Sequence, residues 1–252
     1  MPGFYPGDVR FPYLEEAKEM PRRLLLISNS TNYRQGYLDH VLPEMDAFLG
    51  DVRRLVFIPF ALKNREAYGA KARERLAAIG VEVETLTADE GGRRLAGRAE
   101  AFFTGGGNTF RLLKTLQDSG LLPLLRERAL AGLPYMGSSA GTHIATPTIR
   151  TTNDMPIVQP ASFETLGLVP FQINAHYLDP DPGSTHMGET REQRLREFHE
   201  ENETPVVGLR EGAWIRVEGD RATLGGTRGA RIFRRGREPE ERGAGESLDD
   251  LL

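Results

Sequence analysis

Five short, strongly apolar runs punctuate the first 146 residues, and they constrain this chain more than any other feature. They are residues 22–30 (RRLLLISNS), 53–59 (RRLVFIP), 81–86 (VEVETL), 99–104 (AEAFFT) and 134–137 (PYMG). The first two have too many consecutive apolar residues for a strand wetted on one side. That is the pattern of a parallel strand covered on both faces. Between the runs, residues 37–49, 64–79, 108–117 and 121–131 carry apolar positions at helical spacing, with Gly50 and Gly80 as stops. Such alternation predicts an α/β fold with a mostly parallel central sheet and helices on both faces. Past Thr146 the pattern changes. Residues 168–174, 206–209, 213–218 and 231–233 read as added strands, and Glu218-Gly219-Asp220 as a hairpin turn. One convincing helix, 189–200, follows a Pro-, Gly- and Asp-rich loop at 177–188. The expected organisation is an N-terminal extension (1–21), a single α/β domain (22–235) and an acidic tail (236–252) that is either frayed or docked.

Composition narrows the chemistry. With 252 residues, 39% of them hydrophobic, the chain can bury a substantial core. Lys+Arg 32 against Asp+Glu 36 leaves a net charge of −4, which gives no general attraction to nucleic acid or anionic membranes. Arg231, Arg234, Arg235 and Arg237 are therefore read as a solvated strand rather than a nucleic-acid patch. No apolar run approaches the roughly 18 residues of a membrane span, and residues 1–21 have no signal-peptide core, so a cytoplasmic protein is expected. Cysteine is absent, which excludes disulfides, thiolate zinc sites, haem attachment and a Cys nucleophile. A nucleophilic enzyme of this sequence must use Ser, Thr or a carboxylate.

The sharpest motif is Gly137-Ser138-Ser139-Ala140-Gly141, a G-x-S-x-G pattern between a predicted strand and a predicted helix. In that context the small residues allow a sharp turn that projects Ser139 at a helix N-terminus, beside amides able to stabilise an oxyanion. The bland reading is a Gly/Ser-rich turn. A second turn, Thr104-Gly105-Gly106-Gly107-Asn108, also follows a strand and opens a helix. It lacks the Lys-Ser/Thr of a P-loop, so it is either the other half of an oxyanion hole or a tight βα turn. A serine nucleophile needs a base. Of the five histidines, His176, at the start of the Pro-rich loop, is the first choice and His186, within it, the second. His40 and His199 lie in helices, and His143 lies one turn past Ser139. Asp154 is one of several acids able to orient the base, and an Asx turn before Pro156 is the competing reading.

These residues fall in longer stretches that resemble a known family. LLLISNST (24–31), VFIPFA (56–61), GGGNTFRLLK (105–114), GSSAG (137–141), PTIRTTNDMPIV (147–158), QINAHY (172–177), GETREQR (188–194) and GLREGAWI (208–215) are similar, in order, to the α-aspartyl dipeptidases of the peptidase E family. The resemblance spans about residues 22–235 and implies a flavodoxin-like, class I glutamine-amidotransferase-like fold. It implies a serine dipeptidase that hydrolyses Asp-X dipeptides through an acyl-enzyme on Ser139, with His176 as base and Asp154 as third triad member. The amides of Gly107 and Ala140 would form the oxyanion hole. Arg191 is the cation chosen for the substrate's Asp side chain, because a guanidinium matches a carboxylate with two hydrogen bonds. Asn108 would bind the substrate amine or backbone, or simply cap a helix. No metal or cofactor is needed. Partners reduce to the dipeptide, with no nucleic acid or membrane, for a monomer or a homodimer with tail contacts. A same-fold serine hydrolase of an aspartate-rich polymer and an inactive aspartate-binding protein are the alternatives. The chain departs from the family's usual residues at Ser138 (often Trp), His143 (Asn) and Ala175 (Pro).

Overall fold

The computed structural model describes residues 22–183, 185 and 187–252. The expected N-terminal extension and His186 lie outside the described residues. Five parallel strands form the centre of the first sheet: β1 (Arg23–Ile27), β2 (Arg54–Ile58), β3 (Glu82–Thr85), β4 (Phe102–Thr104) and β5 (Tyr135–Ser138), in the order β3-β2-β4-β5-β1. Alternation along each strand feeds two cores. Leu24, Leu26, Val56, Ile58, Phe102 and Tyr135 point into one, and Leu25, Ile27, Leu55, Phe57, Phe103 and Met136 into the other. This period of two on a doubly covered sheet is why the runs look continuously apolar. Helices α1 (Leu42–Leu49) and α2 (Arg65–Ala77) cover one face. Helices α3 (Glu90–Gly97), α4 (Thr109–Asp118), α5 (Leu121–Leu130) and the short α6 (Ala140–Ala145) cover the other. Helix α3 is short and buries only Gly92 and Ala96. It starts where the Asp89 side chain accepts from the Gly92 amide.

The C-terminal half divides between two sheets. After a long connection, β6 (Gln172–Tyr177) pairs in parallel with β7 (Val206–Arg210), and α7 (Arg191–Glu201) lies between them in sequence. Strands β8 (Ala213–Glu218) and β9 (Arg221–Gly226) then form the expected hairpin, with Gly219 at φ 61, and β8 adds antiparallel to β1. Strands β10 (Ala230–Phe233) and β11 (Glu240–Arg242) complete a second sheet ordered β11-β10-β7-β6. Ile173, Val207, Leu209 and Ile232 of this sheet share a core with the first, so the two sheets are one packed body. The strand expected at 168–174 runs later, to Tyr177, and so carries His176 inside the sheet rather than in the loop.

The expected tail is part of this body. Ser247 bridges to Thr223, the Ala222 amide donates to the Asp249 carboxylate, and Leu248 and Leu251 are buried. Its acids also pair with the arginine run: Arg234 with Glu240 and Asp250, and Arg231 with Glu241, while Glu192 of α7 pairs with Arg231 from the other side of the tail boundary. Arg235 pairs with Glu203. The tail therefore docks on its own chain. Among the described residues no helix is long and apolar enough to cross a membrane. Because Leu248 is fully buried, Leu248→Ala is expected to lower unfolding stability by about 2–5 kcal/mol in urea denaturation. An unchanged midpoint would show the segment to be an unpacked appendage.

Candidate active site

The site is assembled where β1, β4, β5, β6 and β7 end. At the end of β5 the chain bends so sharply that Ser139 takes φ 53 and ψ −109, a region that non-glycine residues rarely occupy. The flanking glycines permit the bend. A Cβ on Gly141 would lie 2.1 Å from the Thr104 carbonyl oxygen, and one on Gly137 2.4 Å from that of Gly141. Helix α6 therefore packs directly against the end of β4, and Ser139 stands at its N-terminus.

His176 reaches this serine through a second irregularity. The β6–β7 pairing shifts register between Ala175 and Tyr177, and His176 sits on that bulge with φ 55. A bulge re-aims a side chain that regular alternation would send elsewhere. Its Nε2 lies 2.9 Å from Ser139 Oγ, the geometry of a base and its nucleophile. The bulge is held from β1: the His176 amide donates to Ser28 Oγ at 3.0 Å, and that hydroxyl donates to the Leu209 carbonyl at 2.8 Å.

The carboxylate in contact with His176 is that of Glu211, and the expected Asp154 binds Thr109 instead. His176 Nδ1 lies 2.7 Å from Glu211 Oε1. Glu211 immediately follows β7, the parallel neighbour of β6, so both strands deliver their terminal side chains to the same edge. Asn29 fixes the next turn, its Oδ1 accepting from the Gly212 amide at 2.7 Å. The His176 and Glu211 side chains are 41% and 51% exposed, so water screens this pair. Asp154 is turned the other way. Its Oδ2 accepts from the amide and hydroxyl of Thr109 at 2.7 and 2.6 Å, at the start of α4. Asp154 nevertheless lines the same cavity of about 420 Å³ as Ser139 and His176.

The loop bearing Asp154 is strapped to β6. Thr151 Oγ1 donates to Ile173 O, Asn153 Nδ2 to Ala175 O, and Asn174 Nδ2 to Thr151 O, all at 2.8 Å. Asn108 joins this scaffold: its Oδ1 caps α4 by accepting from the Arg111 amide, and its Nδ2 donates to Met155 O at 2.9 Å. Its side chain is thus a cap and a tie rather than an open ligand for substrate. Gly107, with φ 132, packs against Leu62 and the Ala61 carbonyl, and the Gly106 Cα faces the Ser139 side chain. The amides of Gly107 and Ala140 have no backbone acceptor among the described residues. Gly107 lines the cavity together with Ser139, and Ala140 is the next residue after that serine.

Arg191, the first residue of α7, is half-buried and does not line this cavity. Burial, and secondarily Arg194, lowers its pKa, and it has no acidic partner among the described residues. Ser138 Oγ is buried without a hydrogen-bond partner among them. His143 is buried beneath the site, where desolvation pushes its pKa down to about 4 and holds the ring neutral. It faces the Ile173 carbonyl through one nitrogen, while Nδ1 is unpartnered among the described residues.

The model of peptidase family S51 matches residues 24–225. The chain belongs to peptidase family S51. Peptidase E of Streptomyces coelicolor is 59% identical over 231 residues, covering 91% of this chain and 94% of that protein. The probable alpha-aspartyl dipeptidase of Drosophila melanogaster is 47% identical over 216 residues, covering 84% of this chain and 90% of that one. Among solved structures, a putative peptidase E from Listeria monocytogenes superposes with a TM-score of 0.64 at 24% identity, covering 82% of this chain and 98% of that one. A peptidase from an acI-B1 actinobacterium gives 0.69 at 19%, covering 93% and 99%. These two likenesses establish the α/β fold. In this S51 peptidase, the neutral His143 makes a separate prediction. The unfolded imidazole binds a proton below its ordinary pKa of about 6.5, whereas the buried ring stays neutral down to about pH 4. Stability therefore falls as pH drops through that window, by up to about 3 kcal/mol. His143→Asn is expected to flatten the acid-side fall in melting temperature; an unchanged slope would assign the acid sensitivity to other groups.

Proposed function

We propose that this S51 peptidase is an aspartyl dipeptidase, releasing N-terminal aspartate from Asp-X dipeptides by acyl transfer through Ser139. The observation that carries this reading is the contact chain Ser139 Oγ–His176 Nε2 at 2.9 Å and His176 Nδ1–Glu211 Oε1 at 2.7 Å. Relatives at 59% and 47% identity bear the names peptidase E and probable alpha-aspartyl dipeptidase, which supports the substrate class.

In this mechanism His176 takes the Ser139 proton as Oγ attacks the peptide carbonyl. Glu211 accepts from Nδ1–H and stabilises the imidazolium that forms. The Gly107 and Ala140 amides receive the oxyanion, each such donor contributing about 2.7–4 kcal/mol. The imidazolium then protonates the leaving amine. Water, deprotonated by the same imidazole, attacks the acyl-enzyme and frees aspartate. Asp154, displaced from the triad, takes a different role. One oxygen is committed to Thr109, and the other is the acceptor for the substrate's α-ammonium. That contact makes the enzyme act at an N-terminus. Arg191 stands outside this cavity in the structure; it is kept as the cation for the aspartate side chain because it has no acidic partner among the described residues.

The test is a panel of Asp-Leu, Asn-Leu, Glu-Leu and β-aspartyl-Leu. Asp-Leu is expected to exceed Asn-Leu by about tenfold or more in kcat/KM, the discrimination of a charge-assisted hydrogen bond. Ser139→Ala is expected to lose several orders of magnitude in kcat, roughly 10³-fold or more, without loss of folding. Equal turnover across the panel, cleavage of an aspartate polymer in preference to Asp-Leu, or an active Ser139→Ala variant would overturn the proposal.

A further inference from the structure

The cavity beside Ser139 holds two opposite charges that do not neutralise each other. Asp154 approaches from the loop after α6, and Lys71 from α2 on the other face of the sheet. Lys71 is exposed, with its Nζ 4.5 Å from the centroid of the Tyr37 ring and no acidic partner among the described residues. The nearby phenols do not supply an anion. Desolvation raises the pKa of both Tyr37 and Tyr68, so each stays neutral. The ring thus steadies the ammonium by cation–π attraction while leaving N–H donors free for an incoming acceptor.

A dipeptide is the substrate that matches this pair of charges. It carries an ammonium at one end and a free α-carboxylate at the other, with the scissile bond between them. Extended, its two residues span about 7 Å, a length that a cavity of about 420 Å³ accommodates. Resting on the dipeptidase reading above, we propose that Lys71 binds the α-carboxylate of the leaving residue, at the opposite end of the substrate from Asp154. Lys71 is then a specificity residue. A tripeptide puts a neutral peptide bond where the ammonium requires an anion, so the same contact that favours a dipeptide disfavours longer chains. Its two N-terminal contacts, with Asp154 and Arg191, leave this end unread without Lys71.

The experiment compares Asp-Leu with its C-terminal amide, Asp-Leu-NH2, on the wild type, Lys71→Met and Lys71→Arg. Methionine keeps an unbranched stem of similar reach and removes only the charge. In the wild type, Asp-Leu is expected to exceed the amide by about tenfold or more in kcat/KM. In Lys71→Met the Asp-Leu value is expected to fall to that of the amide, mainly through KM, while the amide value stays within about twofold of wild type. Lys71→Arg is expected to retain most of the preference. Equal losses on both substrates, or an acid-over-amide ratio that Lys71→Met leaves unchanged, would overturn the inference while leaving the dipeptidase intact. Equal losses accompanied by a collapsed Asp-over-Asn preference would instead assign Lys71 to the aspartate side chain. A wild type that turns over neither substrate removes the dipeptidase reading, and this inference with it.

Discussion

One hydrogen bond, from Ser139 to His176, spans two sheets that share a core but no strand. Its 2.9 Å length depends on two backbone departures, the sharp bend after β5 and the bulge in β6, both with positive φ at a non-glycine residue. Such conformations cost of order 1–3 kcal/mol each and persist only where the surroundings hold them. Here the holding groups come from the end of β1. Ser28 receives the His176 amide, Asn29 receives the Gly212 amide next to Glu211, and the Ser139 amide donates to Ile27 O. The end of β1 therefore fixes the backbone at Ser139, at His176 and beside Glu211 at once. This gives a physical reason for a polar Ser-Asn pair directly after one of the most buried strands in the molecule.

The same logic explains the loop 147–158. None of its side chains hydrogen-bonds the His176 ring among the described residues, yet its threonines and asparagines strap β6 along its length, and Asp154 locks onto the N-terminus of α4. An anion there is favoured by the unpaired amides and the helix dipole. What remains of that carboxylate faces the cavity with a formal charge still to be matched, as does Lys71 across from it. In the proposed binding mode a zwitterion sits between these two charges and an arginine takes the third, acidic group, a division of labour suited to a very small substrate.

Local features were readable from residues alone. The strand–helix alternation, the elbow at Ser139, the glycine turn at 105–107 and the choice of His176 each follow from spacing or flanking residue types, and the structure brings all four together. Glu211 was not readable in that way. It lies 35 residues beyond His176, and only the parallel pairing of β6 with β7 puts the two at one edge. A signal was present, an acid directly after a strand and before a positive-φ glycine, Gly212. The residues alone leave Asp154 open between an orienting acid and an Asx turn before Pro156, and only the family resemblance makes it a triad member. For the acidic tail the residues leave two readings, frayed or docked, and the structure has it docked on its own chain. Its charges look solvated until Arg231 and Arg234 are placed opposite them, and its buried leucines are only two.

The assignment of Glu211 over Asp154 is the point on which the site stands or falls. It is tested most directly by proton NMR of the wild type and of Glu211→Ala and Asp154→Asn, with histidine ring nitrogens labelled. A low-field Nδ1–H resonance from His176 is expected in the wild type and in Asp154→Asn, and is expected to vanish in Glu211→Ala. A resonance that survives in Glu211→Ala and disappears in Asp154→Asn would contradict the account.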